Sequence, residues 1–193
     1  MTDAFSVRDA LAQGLSREVL RSPALDRPFH GTRVLHGGIQ DHHDLCRAYA
    51  VRMPSGAAFS GVSAAVLWGL PLPARFRAPS LVEVSRPLPL RPPRARGVIG
   101  RGHDPRRVIV STVGGLPVLS PADTWASLST TLSVIDLVAV ADAIVTPPFR
   151  ADVALASIDE LASLVESRQH VPGARRLRRC PWCASVRSPD PRR

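Results

Sequence analysis

The sequence predicts an α+β fold: a small winged-helix-like N-terminal segment, then a mixed α/β region with three C-terminal helices. Three observations carry this reading. Cap and turn signals in residues 1–40 enclose two brief helices and a β-wing. Short apolar strands recur between residues 57 and 119. Three Ser-x-x-acid caps then open three helices after residue 120. The chain has 193 residues, 45% hydrophobic and 21% charged, enough to bury a core and too apolar for a wholly disordered polymer. The expected organisation is a winged-helix-like segment at 1–40, an α/β regulatory region at 41–168, and a basic, disordered tail at 169–193.

Ser6 caps a helix with Asp9 three residues on, and Gly14 ends it. A second short helix starts at Leu15, capped by Ser16, and Pro23 and Pro28 punctuate its exit. The stretch 29–35 reads as a strand pair or wing turning at Gly31. The spacing of Leu45, Ala48, Tyr49 and Arg52 predicts a helix over 41–53, with Cys46 a small buried side chain. Residues 57–60 form a short strand, 62–68 an apolar helix stopped by Gly69 and Pro71, and 81–85 an alternating strand. Pro87, Pro89, Pro92 and Pro93 exclude a central strand from 86–97. Strands follow at 98–99, 108–110 and 117–119, split by turns at Asp104-Pro105 and Gly114-Gly115. Ser120-Pro121-Ala122-Asp123, Ser133-Val134-Ile135-Asp136 and Ser157-Ile158-Asp159-Glu160 then predict helices near 121–131, 134–145 and 158–168. The middle one is apolar almost all round and is expected at the centre of the core.

All 25 basic residues are arginine, and the formal charge is +9. Without lysine, Schiff-base chemistry and a P-loop are excluded. The net charge is +1 over 1–74, +7 over 75–107, −6 over 108–167 and +7 over 168–193. Two basic blocks flanking an acidic one suit an anionic polymer, because guanidinium stays charged and grips phosphate bidentately. Asp123, Asp136 and Glu160 are expected to serve as helix caps, which leaves little acid for catalysis.

Motifs for other chemistry are sparse. Cys180-Pro181-Trp182-Cys183 is a C-x-x-C pair, but no second pair completes a zinc ribbon and no βαβ frame surrounds it. Cys180 and Cys183 are thus the candidate metal or redox pair, with His170 a third ligand that nothing orients. His42 and His43 beside Asp41 and Asp44 read as a solvated helix start. No active-site constellation is present and no cofactor is expected. No apolar run reaches transmembrane length and no secretory leader is visible, so a cytoplasmic location without membrane partners is expected.

Five segments in order resemble the N-terminal region of AbiEi-like antitoxin proteins, which often carry a C-terminal endonuclease-like domain related to very-short-patch repair nucleases. They are Ala12-Gln13-Gly14-Leu15-Ser16-Arg17; Arg27-Pro28-Phe29-His30-Gly31-Thr32-Arg33-Val34; residues 59–71, ending Leu67-Trp68-Gly69-Leu70-Pro71; residues 115–125, Gly-Leu-Pro-Val-Leu-Ser-Pro-Ala-Asp-Thr-Trp; and Asp136-Leu137-Val138-Ala139 to Asp142. The resemblance implies a winged helix at the N-terminus, with Arg17 and Arg21 in the recognition-helix region and His30, Gly31 and Arg33 in the wing. It maps an Arg-rich helix onto 172–179. It also implies that the nuclease-like domain is missing and that the tail is a truncated junction to it.

The expected function is a non-catalytic, antitoxin-like transcriptional regulator whose partners are DNA and a cognate toxin. Phosphate contacts would come from the 75–107 block, with Arg91, Arg94 and Arg96, and from Arg175, Arg176, Arg178 and Arg179. Any base readout would come from Arg17 and Arg21, and Arg33 of the wing is a further DNA-binding candidate. The alternatives are an inactive remnant of a two-domain endonuclease-like protein and a zinc- or redox-active C-x-x-C protein.

Overall fold

The termination of the first helix sets the shape of the N-terminal segment. In the computed structural model, which describes residues 4–76, 81–147, 154–168 and 173–179, β1 (Phe5–Ser6) runs directly into α1 (Val7–Ala12). Ser6 Oγ accepts from Asp9 N at 3.1 Å, and Gly14 takes φ +90°, which halts the helix in a conformation other residues resist. The second short helix is only a 3₁₀ turn, Val19–Arg21, although Ser16 Oγ does accept from Val19 N at 3.3 Å. Gly14 and Pro23 lie too close together for a longer helix to form between them. β2 (Leu25–Asp26) and β3 (Thr32–Leu35) complete a three-stranded antiparallel sheet in the order β1-β3-β2. The segment is thus one short helix and one 3₁₀ turn against a three-stranded sheet, its second expected helix reduced to a single turn. The wing is the β2–β3 hairpin: Gly31 (φ +79°) sits at the entry to β3, and the residues before it form the tip rather than a strand.

The second sheet has five strands. β4 (Ala58–Phe59), β5 (Val82–Pro87), β6 (Val98–His103), β7 (Val110–Val113) and β8 (Leu116–Leu119) stand in the order β6-β5-β4-β8-β7. β4 pairs antiparallel with β5 and parallel with β8, β5 runs parallel to β6, and β7–β8 is the hairpin expected at Gly114-Gly115. Helix α2 (His42–Ala50) joins the two sheets, and α3 (Gly61–Leu67) connects β4 to β5 and packs on the second sheet. Cys46, Tyr49, Phe59, Val82 and Val84 pack with Phe29 and Val34 of the wing in a single cluster. No break in the core therefore falls at residue 40.

The helical layer consists of α4 (Pro121–Leu128), α5 (Val134–Val145), α6 (Ile158–Ser167) and α7 (Ala174–Leu177). The first three are capped as expected, with Ser120, Ser133 and Ser157 hydroxyls accepting from the backbone N–H of Asp123, Asp136 and Glu160. The centre of this core is α4, not α5. Trp125 and Leu128 are fully enclosed, whereas α5 buries Leu137, Val140, Ala141 and Ile144 and leaves Ile135 83% exposed. Trp125 Nε1 donates to Leu137 O at 2.9 Å, fixing α5 against α4. The expectation of a disordered tail fails at 173–179. Ala174 and Leu177 are buried, and Arg176 Nη1 reaches Ser129 O and Leu132 O at 3.2 and 3.3 Å. The short helix docks because Leu177 fills the core and Arg176 satisfies carbonyls after α4.

Candidate nucleic-acid interface

The connection from β5 to β6 carries the proline-rich basic block. Two parallel neighbours are normally joined by a helical crossover; here only residues 88–97 intervene. The alternation of β6 makes room for them. Gly100 and Gly102 face this loop, and a Cβ there would stand 2.1 Å from Pro93 O or 2.9 Å from Leu88 Cδ2. Leu88 N donates to His103 O, Val98 N to Ala95 O and Arg86 Nη1 to Arg91 O. The loop is thus bonded to the sheet, with Arg91, Arg94 and Arg96 all exposed. At its end Gly97 (φ +81°) approaches Phe29, 3.3 Å from where a Cβ would lie. Phe29 is buried edge-on to Tyr49, their ring centroids 5.1 Å apart.

This contact brings the loop against the wing. A cleft of about 760 Å³ is lined by Arg27, Phe29, Gly31 and Arg33 of the wing and by Arg96 and Gly97 of the loop. A second hollow, of about 750 Å³, shares Val7, His30 and Gly31 with it and adds Arg8 and Arg52. Two regions far apart in sequence therefore contribute arginines to one surface. Arg33 is the brace of that surface. Its Nε donates to Leu20 O at 2.7 Å and its Nη1 to Thr32 O at 2.8 Å, tying the 3₁₀ turn to the wing. Burial, and then the nearby Arg27 charge, hold its pKa below the ordinary arginine value. Arg27 Nη2 donates to Arg21 O at 2.9 Å, and Arg52 Nη1 donates to His30 O. The hairpin base is held by Asp26, whose carboxylate accepts from Gly37 N and meets His36 Nδ1, each at 2.9 Å. The His36 bond, then the Gly37 amide, lower the Asp26 pKa.

The other candidates separate from this surface to different degrees. Arg17 is exposed before the 3₁₀ turn and Arg21 is exposed at its end, but no α-helix presents them. Arg175, Arg176, Arg178 and Arg179 belong to α7 or follow it, and Arg176 is engaged with backbone carbonyls. Cys180, Cys183 and His170 lie outside the described residues. Among the described residues no group of three or more His, Cys, Asp or Glu side chains could hold a metal ion. His42 corrects the expectation of a solvated helix start: it is 3% exposed, with Nε2 2.8 Å from Ser63 Oγ. Adjacent His43 is exposed, so the two rings do diverge. Sequence reasoning passed over Arg27 and Arg52. Arg27-Pro28 at a wing tip was a usable signal for the first; only tertiary packing reveals the second.

Fold and cleft together define the class: an α+β protein with an arginine-lined cleft between its wing and its proline-rich loop. No family model and no curated protein matches the chain. Among solved structures it is similar to the crystal structure of the RV2827C protein from Mycobacterium tuberculosis, with 19% identity and a TM-score of 0.49, over 96% of this chain and 73% of that one. No helix among the described residues is long and apolar enough to cross a membrane.

Proposed function

We propose that this chain is a non-catalytic DNA-binding regulator of the antitoxin type, holding duplex DNA by its phosphates. The observation that carries the reading is the meeting of wing and loop at one cleft, which places Arg27 and Arg96 on a shared wall. Arg91 and Arg94 extend this basic surface along the loop, and the bonded loop reduces the entropy lost on binding. Arg33 acts through Leu20 and the wing backbone, as a positioning residue. The antitoxin part of the reading rests on the sequence resemblance, and its partner would be a cognate toxin.

The test is fluorescence anisotropy of a labelled random duplex across a salt series. With Arg8, Arg27, Arg52, Arg91, Arg94 and Arg96 on phosphates, log K falls against log salt with a slope of about −5. The double variant Arg94→Gln/Arg96→Gln reduces the slope by about 2 and weakens all sequences alike. Absence of binding at low salt, or binding indifferent to salt, would refute the proposal.

A further inference from the structure

The far end of β6 forms a further cavity, separate from the wing cleft and the hollow beside it. Gly100 and Gly102 face the proline loop, so the alternate residues Arg101 and His103 fall on the opposite face, beside the helical layer. A cavity of about 510 Å³ opens there, walled by Arg101, His103, Arg107, Arg168, Ser127 and Thr130, with Val108 and Ala126 supplying apolar surface.

Its hydrogen-bonding capacity is one-sided. The Arg101 side chain makes no hydrogen bond with the described residues; its Nε stands 3.8 Å from Glu83 Oε2, a loose ion pair. Arg107 uses Nη1 on Ser167 O at 3.0 Å and leaves Nη2 unused, while its Nε lies 3.6 Å from Asp104. His103 also lines the wall, although its Nδ1 is enclosed and without a partner, so that nitrogen is turned away from the open space. Desolvation lowers the His103 pKa, opposed by the charge of Asp123. Thr130 is exposed and its hydroxyl has no partner among the described residues. Ser127 is already satisfied, accepting from Gly61 N and donating to Thr124 O. Arg168 is neutralised by Asp123. Against these donors the only carboxylate in the wall is Asp104, which also accepts from Arg106 N at 3.0 Å. Such a wall is complementary to a ligand rich in acceptors.

We infer that this cavity binds a small phosphomonoester, with Arg101 and Arg107 gripping the phosphate and His103 and Thr130 completing its shell. The volume lies within the range of small-molecule sites and exceeds what inorganic phosphate fills. The apolar Val108 and Ala126 surface receives the organic part, which sets the ligand at about the size of a nucleoside monophosphate. The site is independent of the DNA reading: none of these side chains lines the wing cleft.

Calorimetric titration of the full chain with AMP, adenosine and inorganic phosphate tests it. AMP binds, adenosine does not, and phosphate competes with AMP. Arg101→Gln and Arg107→Gln each weaken AMP binding about tenfold or more, as expected for one charge-assisted grip. Arg96→Gln, in the other cleft, leaves AMP binding unchanged. NMR of the wild-type chain gives a readout free of variant folding, because the His103 ring resonances shift as AMP is added. Equal binding of adenosine, an unmoved His103 signal at millimolar AMP, or an equal loss in Arg96→Gln overturns the proposal. Displacement of AMP by a short blunt duplex lacking terminal phosphates also overturns it, assigning the cavity to the DNA surface.

Discussion

Replacing Asp123 by alanine tests how the sheet is locked to the helical layer. The Asp123 carboxylate accepts from Ile109 N at 2.7 Å, from Ser120 Oγ at 2.8 Å and from Arg168 Nη2. It therefore joins the segment entering β7, the cap of α4 and the end of α6. The ion pair is enclosed, its side chains 3% and 13% exposed, so solvent does little to replace a lost partner. Arg168 Nη2 also donates to Arg107 O at 2.7 Å, which holds the arginine in place after the carboxylate is gone. Asp123→Ala leaves a buried guanidinium, an amide and a hydroxyl unsatisfied, at a cost of about 4 kcal/mol. For a domain of this size that lowers Tm by about 8–16 °C. Urea unfolding followed by tryptophan fluorescence measures it. The control is Arg75→Gln, which breaks a pair with Asp136 whose arginine is 58% exposed; it costs no more than about 1 kcal/mol. If Asp123→Ala matches that control, the carboxylate is not the lock inferred here.

The Cys46 thiol, enclosed and pushed up to about 12 by burial, resists alkylation in the native protein at pH 8 and reacts on unfolding, as peptide mapping would show. Burial raises the Glu83 pKa above 4.5, opposed by Arg101 and the Val62 amide. The folded state thus holds this proton more tightly than the unfolded one. Its contribution to stability is full below about pH 4.5 and is lost as pH rises through the folded value; Glu83→Gln flattens this part of a pH–stability profile, and an unchanged profile would contradict the assignment. Gly100→Ala drives a Cβ into Pro93 backbone, costing about 1–3 kcal/mol. It also displaces Arg94 and Arg96 and so weakens DNA binding, whereas wild-type affinity in this variant would separate the loop from the interface.

Much of the secondary structure was legible because its signals are local. Ser6, Ser120, Ser133 and Ser157 cap within three residues of themselves, and Gly114-Gly115 turns its own hairpin, so neither needs information from the rest of the chain. The second helix falls short of its signal: the Ser16 hydroxyl does accept from Val19 N, but the space before Pro23 admits one turn only. The core centre was misplaced for a different reason. Composition marks α5 as the more apolar helix, but enclosure depends on neighbours, and α4 lies among α3, α5, α6 and β8. His42 was read as solvated because Ser63, its partner, lies 21 residues on.

The sequence by itself determined the element types, most of their ends and the blocks of arginine, since caps, turns and charge are properties of short stretches. Only the tertiary structure decided which arginines stand together. Gly97 against Phe29 puts Arg96 beside the wing, while the alternation of β6 sends Arg101 and His103 to the other face. Net charge is summed along the chain, but a binding surface is set by distance in space, and that distance follows from the packing of residues far apart in sequence.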